Sequence, residues 1–173
     1  MELRSERIVL RTISPGDQEH VFRGLSHPDV VRYYGVRFDS PEATQEQMAW
    51  YARLVREGTG HWWAIRSAEN DSFLGAVGLN NIVAVHRRCE LGFWLLPEHW
   101  NKGYVSDALP LVIAHAFSDL GLHRIMAEVE VANTASARVL ERAGFVHEGT
   151  LRECEMKDGR YLSLAIYALL NTP

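Results

Sequence analysis

Residues 90–106 read Glu-Leu-Gly-Phe-Trp-Leu-Leu-Pro-Glu-His-Trp-Asn-Lys-Gly-Tyr-Val-Ser, and this stretch decides the fold. Its first half, Glu90 to Leu96, is short, apolar and aromatic, the pattern of a buried strand. Pro97 stops it. A polar turn follows, Glu98 to Lys102, and then Gly103. Beyond Gly103 the apolar residues fall at Val105, Ala108, Leu109, Val112, Ile113, Ala116 and Phe117, a helical spacing. The unit is strand, glycine turn, helix N-terminus. Such a corner gathers unpaired backbone N–H groups and the positive end of a helix dipole in one small volume. An anion, most naturally a phosphate, fits there, and Gly103 lets it approach the backbone closely. An ordinary strand-to-helix turn has the same spacing, so on this evidence alone both readings stand.

Working outward, the chain before this unit alternates strands and helices. Arg7 to Ile13 alternates like a strand; Ser14-Pro15-Gly16-Asp17 breaks it and opens a helix over Asp17 to Leu25. His27-Pro28-Asp29 is a turn, with one more helical turn in Val30 to Tyr34. Ser40-Pro41-Glu42 opens a second helix that ends at Gly58 and Gly60. His61 to Arg66 and Phe73 to Val83 form a hairpin, and Gly75 and Gly78 inside it mark a bulge or a close backbone approach. After the central unit come a strand (His123 to Val131), a helix (Asn133 to Ala143, Gly144 as C-cap) and a last hairpin (Phe145 to Met156, Tyr161 to Leu169). That hairpin turns across Lys157-Asp158-Gly159-Arg160. The sum is one domain over residues 1–173, a mixed α/β sheet of about seven strands flanked by about four helices.

Composition bounds the function. The chain has 173 residues, 47% hydrophobic and 23% charged, an ordinary globular balance, with a net charge of −4. A general nucleic-acid binder would show a basic face. Any polyanionic ligand must therefore be held by local groups and not by the field of the whole chain. Cys89 and Cys154 make neither a disulfide framework nor a zinc site, and the histidines show no metal-ligand spacing; His61, His86, His99 and His123 read as turn or surface residues. No metal is expected. Glu2, Arg4, Glu6 and Arg7 follow Met1 at once, where a signal peptide would be apolar, and the best apolar run, Leu109 to Phe117, is too short to cross a bilayer. The expectation is a cytoplasmic protein with no membrane or nucleic-acid partner.

Several motifs in order resemble a known family. Glu90-Leu-Gly-Phe-Trp-Leu, then Pro97-Glu-x-Trp-x-Lys-Gly-Tyr, then Asn133-x-x-Ser136 with Gly144-Phe145 behind it, resemble the GNAT superfamily of acyl-CoA-dependent N-acyltransferases. Within it the chain is most similar to the RimJ/RimL branch, which acetylates α-amino groups of ribosomal proteins. The likeness runs from Arg7-Ile-Val-Leu-Arg to Tyr167. It implies a mostly antiparallel GNAT sheet and acetyl-CoA as cosubstrate. It also implies pantetheine paired along Phe93, Trp94 and Leu95, and a pyrophosphate cradled by Trp100, Asn101, Lys102, Gly103, Tyr104, Val105 and Ser106.

The resemblance carries further roles. Asn133 contacts the pantetheine arm; read bottom-up, it is equally a helix N-cap. Ser136 hands a proton to the sulfur. Glu155 is the general base, with Glu90 its rival, because an α-amino group with a pKa of about 8 must lose a proton before it attacks. Trp50, Tyr33, Tyr34, Trp62 and Trp63 shape the acceptor side. Two departures stand out. Trp100 occupies a position where the family commonly has Gln or Arg, and Pro110 lies inside the predicted helix, where it removes one backbone hydrogen bond and should bend the chain near Ser106. The acceptor is expected to be a protein N-terminal amine. A small amine (antibiotic, polyamine or amino acid) and a non-catalytic acyl-CoA-binding regulatory module are the alternatives. Dimers are common in this branch, but no surface is identified.

Overall fold

A computed structural model describes residues 2–172. Eight strands form one sheet in the order β1-β2-β3-β4-β5-β6-β8-β7. They are β1 (Glu2–Arg4), β2 (Ile8–Thr12), β3 (His61–Ser67), β4 (Phe73–Val83), β5 (Arg88–Leu95), β6 (Arg124–Glu130), β7 (Val146–Lys157) and β8 (Arg160–Leu170). Every neighbouring pair is antiparallel except β5 with β6. The helices are α1 (Gln18–Leu25), α2 (Pro28–Val31), α3 (Gln45–Glu57), α4 (Tyr104–Ala114) and α5 (Thr134–Arg142). Strand β1, three residues paired to β2, is an addition to the expected sheet.

The period-2 alternation of the strands builds two cores. Trp63 and Ile65 of β3 point to one face, where Leu91 and Leu95 of β5, Ile125 and Val129 of β6 and the buried side of α4 meet. Trp62 and Ala64 point to the other, against Val21 and Leu25 of α1, Tyr51 and Leu54 of α3 and Trp94 of β5. The five aromatics grouped by sequence on the acceptor side therefore divide. Trp62 and Trp50 pack together with ring centroids 6.0 Å apart, whereas Trp63 belongs to the opposite core. Gly78 makes a close approach: a Cβ there would lie 2.3 Å from the Trp62 ring, so only glycine admits it. The register shifts of β4 lie elsewhere, opposite Ile65/Arg66 and at Asn80/Val83.

Local chemistry sets most boundaries. Asp158 and Gly159 both have positive φ (50° and 74°), the two-residue hairpin turn their sequence predicts. Helix α3 begins at Gln45, later than the Ser-Pro-Glu signal, because Ser40 to Thr44 close a turn of their own, with Thr44 N–H donating to Ser40 O at 3.2 Å. Helix α4 runs through Pro110 and passes into a wider π-turn over His115–Asp119, three residues beyond Val112. His61 is no turn residue. It lies in β3, its ring stacked 4.3 Å from Trp63 and its Nε2 2.8 Å from Thr12 Oγ1. Among the described residues, no helix is long and apolar enough to cross a membrane.

Candidate active site

Strands β5 and β6 are parallel and pair only through Arg88↔Arg124, Cys89↔Ile125 and Glu90↔Met126. Beyond Glu90 and Met126 both strands continue, to Leu95 and Glu130, without touching. The sheet therefore opens into a wedge whose walls are two strand edges. Strand edges carry backbone groups that need partners.

Which groups face the wedge follows from the register. Leu96 N–H donates to Leu74 O at 2.9 Å. Antiparallel pairs alternate between bonded and non-bonded, so Ala76/Trp94 and Gly78/Gly92 are the bonded pairs along β4–β5. The intervening residues, Leu91, Phe93 and Leu95, turn their N–H and C=O groups away from β4 and into the wedge. Trp94, expected to pair with a ligand along with its neighbours, spends its backbone on β4, and its side chain is buried in the core with Phe73. The Leu95 carbonyl is also engaged: Trp100 Nε1 donates to it at 2.9 Å. Thus Trp100 is a polar donor after all, directed at the strand end and not at a phosphate.

Two helix N-termini flank the wedge. At α4 the turn uses positive φ at Asn101 (57°) and Gly103 (81°). Gly103 is the N-cap, and Asp107 N–H donates to its carbonyl at 3.1 Å. At α5, Asn133 caps the helix, accepting from Ser136 N–H at 3.2 Å, while its own Nδ2 donates to Ser136 Oγ at 2.9 Å. That reciprocal ring occupies a lone pair of the Ser136 hydroxyl and leaves its proton available to the cleft.

The cleft so formed has a volume of about 500 Å³. It is lined by Phe93, Trp94, Leu95, Trp100, Asn101, Gly103, Tyr104, Val105, Ser106, Asn133 and Ser136, the predicted residues that the fold brings together. Lys102 is not in the lining; its carbonyl faces Arg7 instead. Arg138 and Arg142 of α5 also line it, one helical turn apart. Sequence reading passed over both, although an i, i+4 arginine pair one turn into a capped helix was the available signal. At the other end stand Asp29, Arg32, Tyr33 and Tyr34. Burial raises the Tyr34 hydroxyl well above its ordinary pKa, so it stays protonated. Lys157, at the tip of the β7–β8 hairpin, ties this end together, its three ammonium N–H groups shared among Val31 O (2.9 Å), Arg32 O (2.7 Å), Tyr34 O (3.2 Å) and Glu130 (3.1 Å).

The carboxylates sort themselves by register. Glu90, Glu128 and Glu155 project from one face of the sheet, since Glu90 pairs with Met126 and Glu128 with Ile166, an even four residues along β8 from the Leu162 that faces Glu155. Of the three only Glu128 lines the cleft. Its carboxyl is raised above the ordinary range, first by burial and then by the negative charges of Glu90 and Glu155. Glu155 is exposed on β7. Glu90 accepts from Asn81 Nδ2 at 2.8 Å and Asn80 Nδ2 at 3.3 Å and is not among the lining residues. Glu128 carried no motif and was missed.

A second hollow, about 750 Å³, lies at the β7 bulge beside Thr150 to Cys154 and Ser163. It has no helix N-terminus. Among the described residues, no group of three or more His, Cys, Asp or Glu side chains is placed to hold a metal ion.

Comparison with known proteins agrees with this geometry. The family described as "Acetyltransferase (GNAT) domain" matches residues 7–146. An uncharacterized N-acetyltransferase of Bacillus subtilis, YoaA, is 34% identical over 169 residues, 97% of this chain and 96% of that one. The ribosomal-protein-serine acetyltransferase of Escherichia coli is 31% identical over 129 residues, 75% of this chain and 71% of its own. The spermidine N(1)-acetyltransferase of Vibrio cholerae is 27% identical over 158 residues, 91% and 89% of the two chains. In structure, a Vibrio cholerae spermidine N-acetyltransferase in complex with CoA and spermine shares the fold at a TM-score of 0.86, with 24% identity and 96% of each chain covered. The family match over residues 7–146 and the similarity to YoaA along nearly the whole of both chains show the family to which this chain belongs: it is a GNAT acetyltransferase, an acyl-CoA-dependent N-acyltransferase.

Proposed function

We propose that the chain moves an acetyl group from acetyl-CoA to the α-amino group of a protein N-terminus, the reaction of the RimJ/RimL branch. One observation carries this reading: a strand edge with free backbone groups at Phe93 and Leu95 ends beside a glycine turn that opens a helix. An extended pantetheine arm supplies the amides and carbonyls such an edge requires, and its pyrophosphate suits the turn. Similarity to the ribosomal-protein-serine enzyme supports the protein acceptor.

The chain's residues divide the chemistry. Glu128 accepts the proton from the incoming ammonium; its raised carboxyl brings it closer to working pH. Glu155 and Glu90 tune it by charge. The amine nitrogen then bonds to the thioester carbon, and the second proton it must lose passes to solvent as the tetrahedral adduct collapses. The Leu95 N–H, its carbonyl held by Trp100, faces the developing oxyanion. As the C–S bond breaks, Ser136 Oγ–H donates to the leaving sulfur and is reprotonated from solvent. Asn101 to Ser106 hold the pyrophosphate through backbone N–H groups, and Asn133 holds Ser136.

A second reading keeps the chemistry and makes the acceptor a small polycationic amine. Glu128 and Asp29 with the Tyr33 and Tyr34 wall suit an ammonium, and the spermidine relative supports it. Thiol release from acetyl-CoA, measured with N-terminal peptides and with a polyamine panel, tests both. Turnover with peptides alone upholds the first; turnover with polyamines alone replaces it with the second.

A further inference from the structure

We propose that Arg7 is a positioning residue that sets the acyl-CoA phosphate turn, acting through the Lys102 carbonyl and the Asp107 carboxylate. The inference rests on reading the β5–β6 wedge as the acyl-CoA site. Arg7 lies just ahead of β2, 95 residues before Lys102. Its own backbone is fixed, the carbonyl accepting from Ala68 N–H at 2.9 Å. Its guanidinium does three things at once. Nη1 and Nη2 each donate to Lys102 O at 3.1 Å, Nε donates to Asp107 Oδ2 at 2.7 Å, and the plane lies 5.2 Å from the centre of the Tyr104 ring. One fork thus grips residues on both sides of Gly103.

Peptide geometry turns that grip into a consequence for the site. In a trans, planar peptide the carbonyl of Lys102 and the N–H of Gly103 point in opposite directions. With the oxygen drawn to Arg7, the Gly103 N–H points away from Arg7, and Gly103 is one of the residues that line the cleft. Glycine at φ 81° has other backbone wells close in energy, so the turn needs an outside contact to choose one. Charge gives the second consequence. Asp107 sits in the first turn of α4, next in sequence to Ser106, which lines the cleft. Paired with Arg7 it is neutralised; unpaired it would repel the ligand. Arg7 does not itself line the cleft, so it acts through these groups and not as a phosphate ligand.

The test compares wild type, Arg7→Met, Arg7→Lys and the double variant Arg7→Met/Asp107→Asn, by CoA calorimetry and by acetyl-CoA kinetics. Arg7→Met is expected to weaken CoA binding about tenfold and raise the acetyl-CoA KM alike, with kcat at saturation within about twofold. Arg7→Lys recovers less than half of the loss, because an ammonium cannot hold carbonyl and carboxylate in one fixed fork. Removing the stranded charge in the double variant restores about threefold of the affinity. Thermal unfolding changes little, since this ion pair is exposed. Arg7→Met that binds CoA within about twofold of wild type, or that loses kcat with KM unmoved, overturns the proposal. Wild-type protein that does not bind CoA overturns the reading of the wedge and this inference with it.

Discussion

The indole N–H of Trp100 donates to the carbonyl of Leu95 at 2.9 Å, and this bond occupies the last carbonyl of β5. Leu95 aims two backbone groups away from β4. The indole takes the carbonyl, so only the N–H donor is left where an acyl oxygen would lie. The residue that departs from the family's phosphate motif thus does its work one strand away.

Trp100→Phe keeps the ring and deletes the donor. The loss of one neutral hydrogen bond of about 1 kcal/mol should raise the acetyl-CoA KM roughly fivefold. Steady-state kinetics at fixed acceptor checks this. An unchanged KM would separate the indole from the ligand end of β5.

The carboxylate assignment has its own signature in pH. Only ionised Glu128 accepts a proton, so the lower-pH limb of kcat rises as Glu128 ionises, above the ordinary carboxylate range. Glu155→Gln removes a negative neighbour, so that limb should move to lower pH. Glu128→Gln should remove the limb and cost about 100-fold in kcat with CoA affinity kept. A greater loss in Glu155→Gln than in Glu128→Gln would return the role of base to Glu155.

Stability should also depend on pH through a residue outside the cleft. Burial first, with the charge of His115 adding to it, lowers the pKa of His61 from 6.5 to about 4. The unfolded chain protonates this ring near pH 6.5; the folded chain waits until about 4. Between those values the unfolded state binds more protons, so stability is full above pH 6.5 and falls as pH drops toward 4. Chemical unfolding at both ends of that window should show a larger loss for wild type than for His61→Gln. Equal losses would place the acid sensitivity elsewhere.

The legible parts of this molecule were the ones governed by neighbours in sequence. Phe73 to Val83, the Asp158-Gly159 turn and the Asn133 cap are each decided within a few residues, and each lies where its pattern put it. Gly103 and its flanks announced the turn from strand to helix for the same reason. Strand β1 was not legible, because three residues carry no period and exist as a strand only by pairing with β2. Glu128 was not legible either. Its importance comes from the absence of β5 beside it and from Glu90 and Glu155 on the same face, relations that span tens of residues. The division of Trp62 from Trp63 was in the alternation all along, but grouping aromatics by sequence distance concealed it.

The central claim is that the unpaired edge of β5 receives the ligand as an additional strand. Residue-resolved amide exchange with and without acetyl-CoA tests it most directly. Phe93 and Leu95 N–H, free in the unliganded chain, should become protected on binding, while Trp94 N–H, already bonded across to β4, should not change. Acetyl-CoA binding that leaves Phe93 and Leu95 exchanging as before would contradict the account.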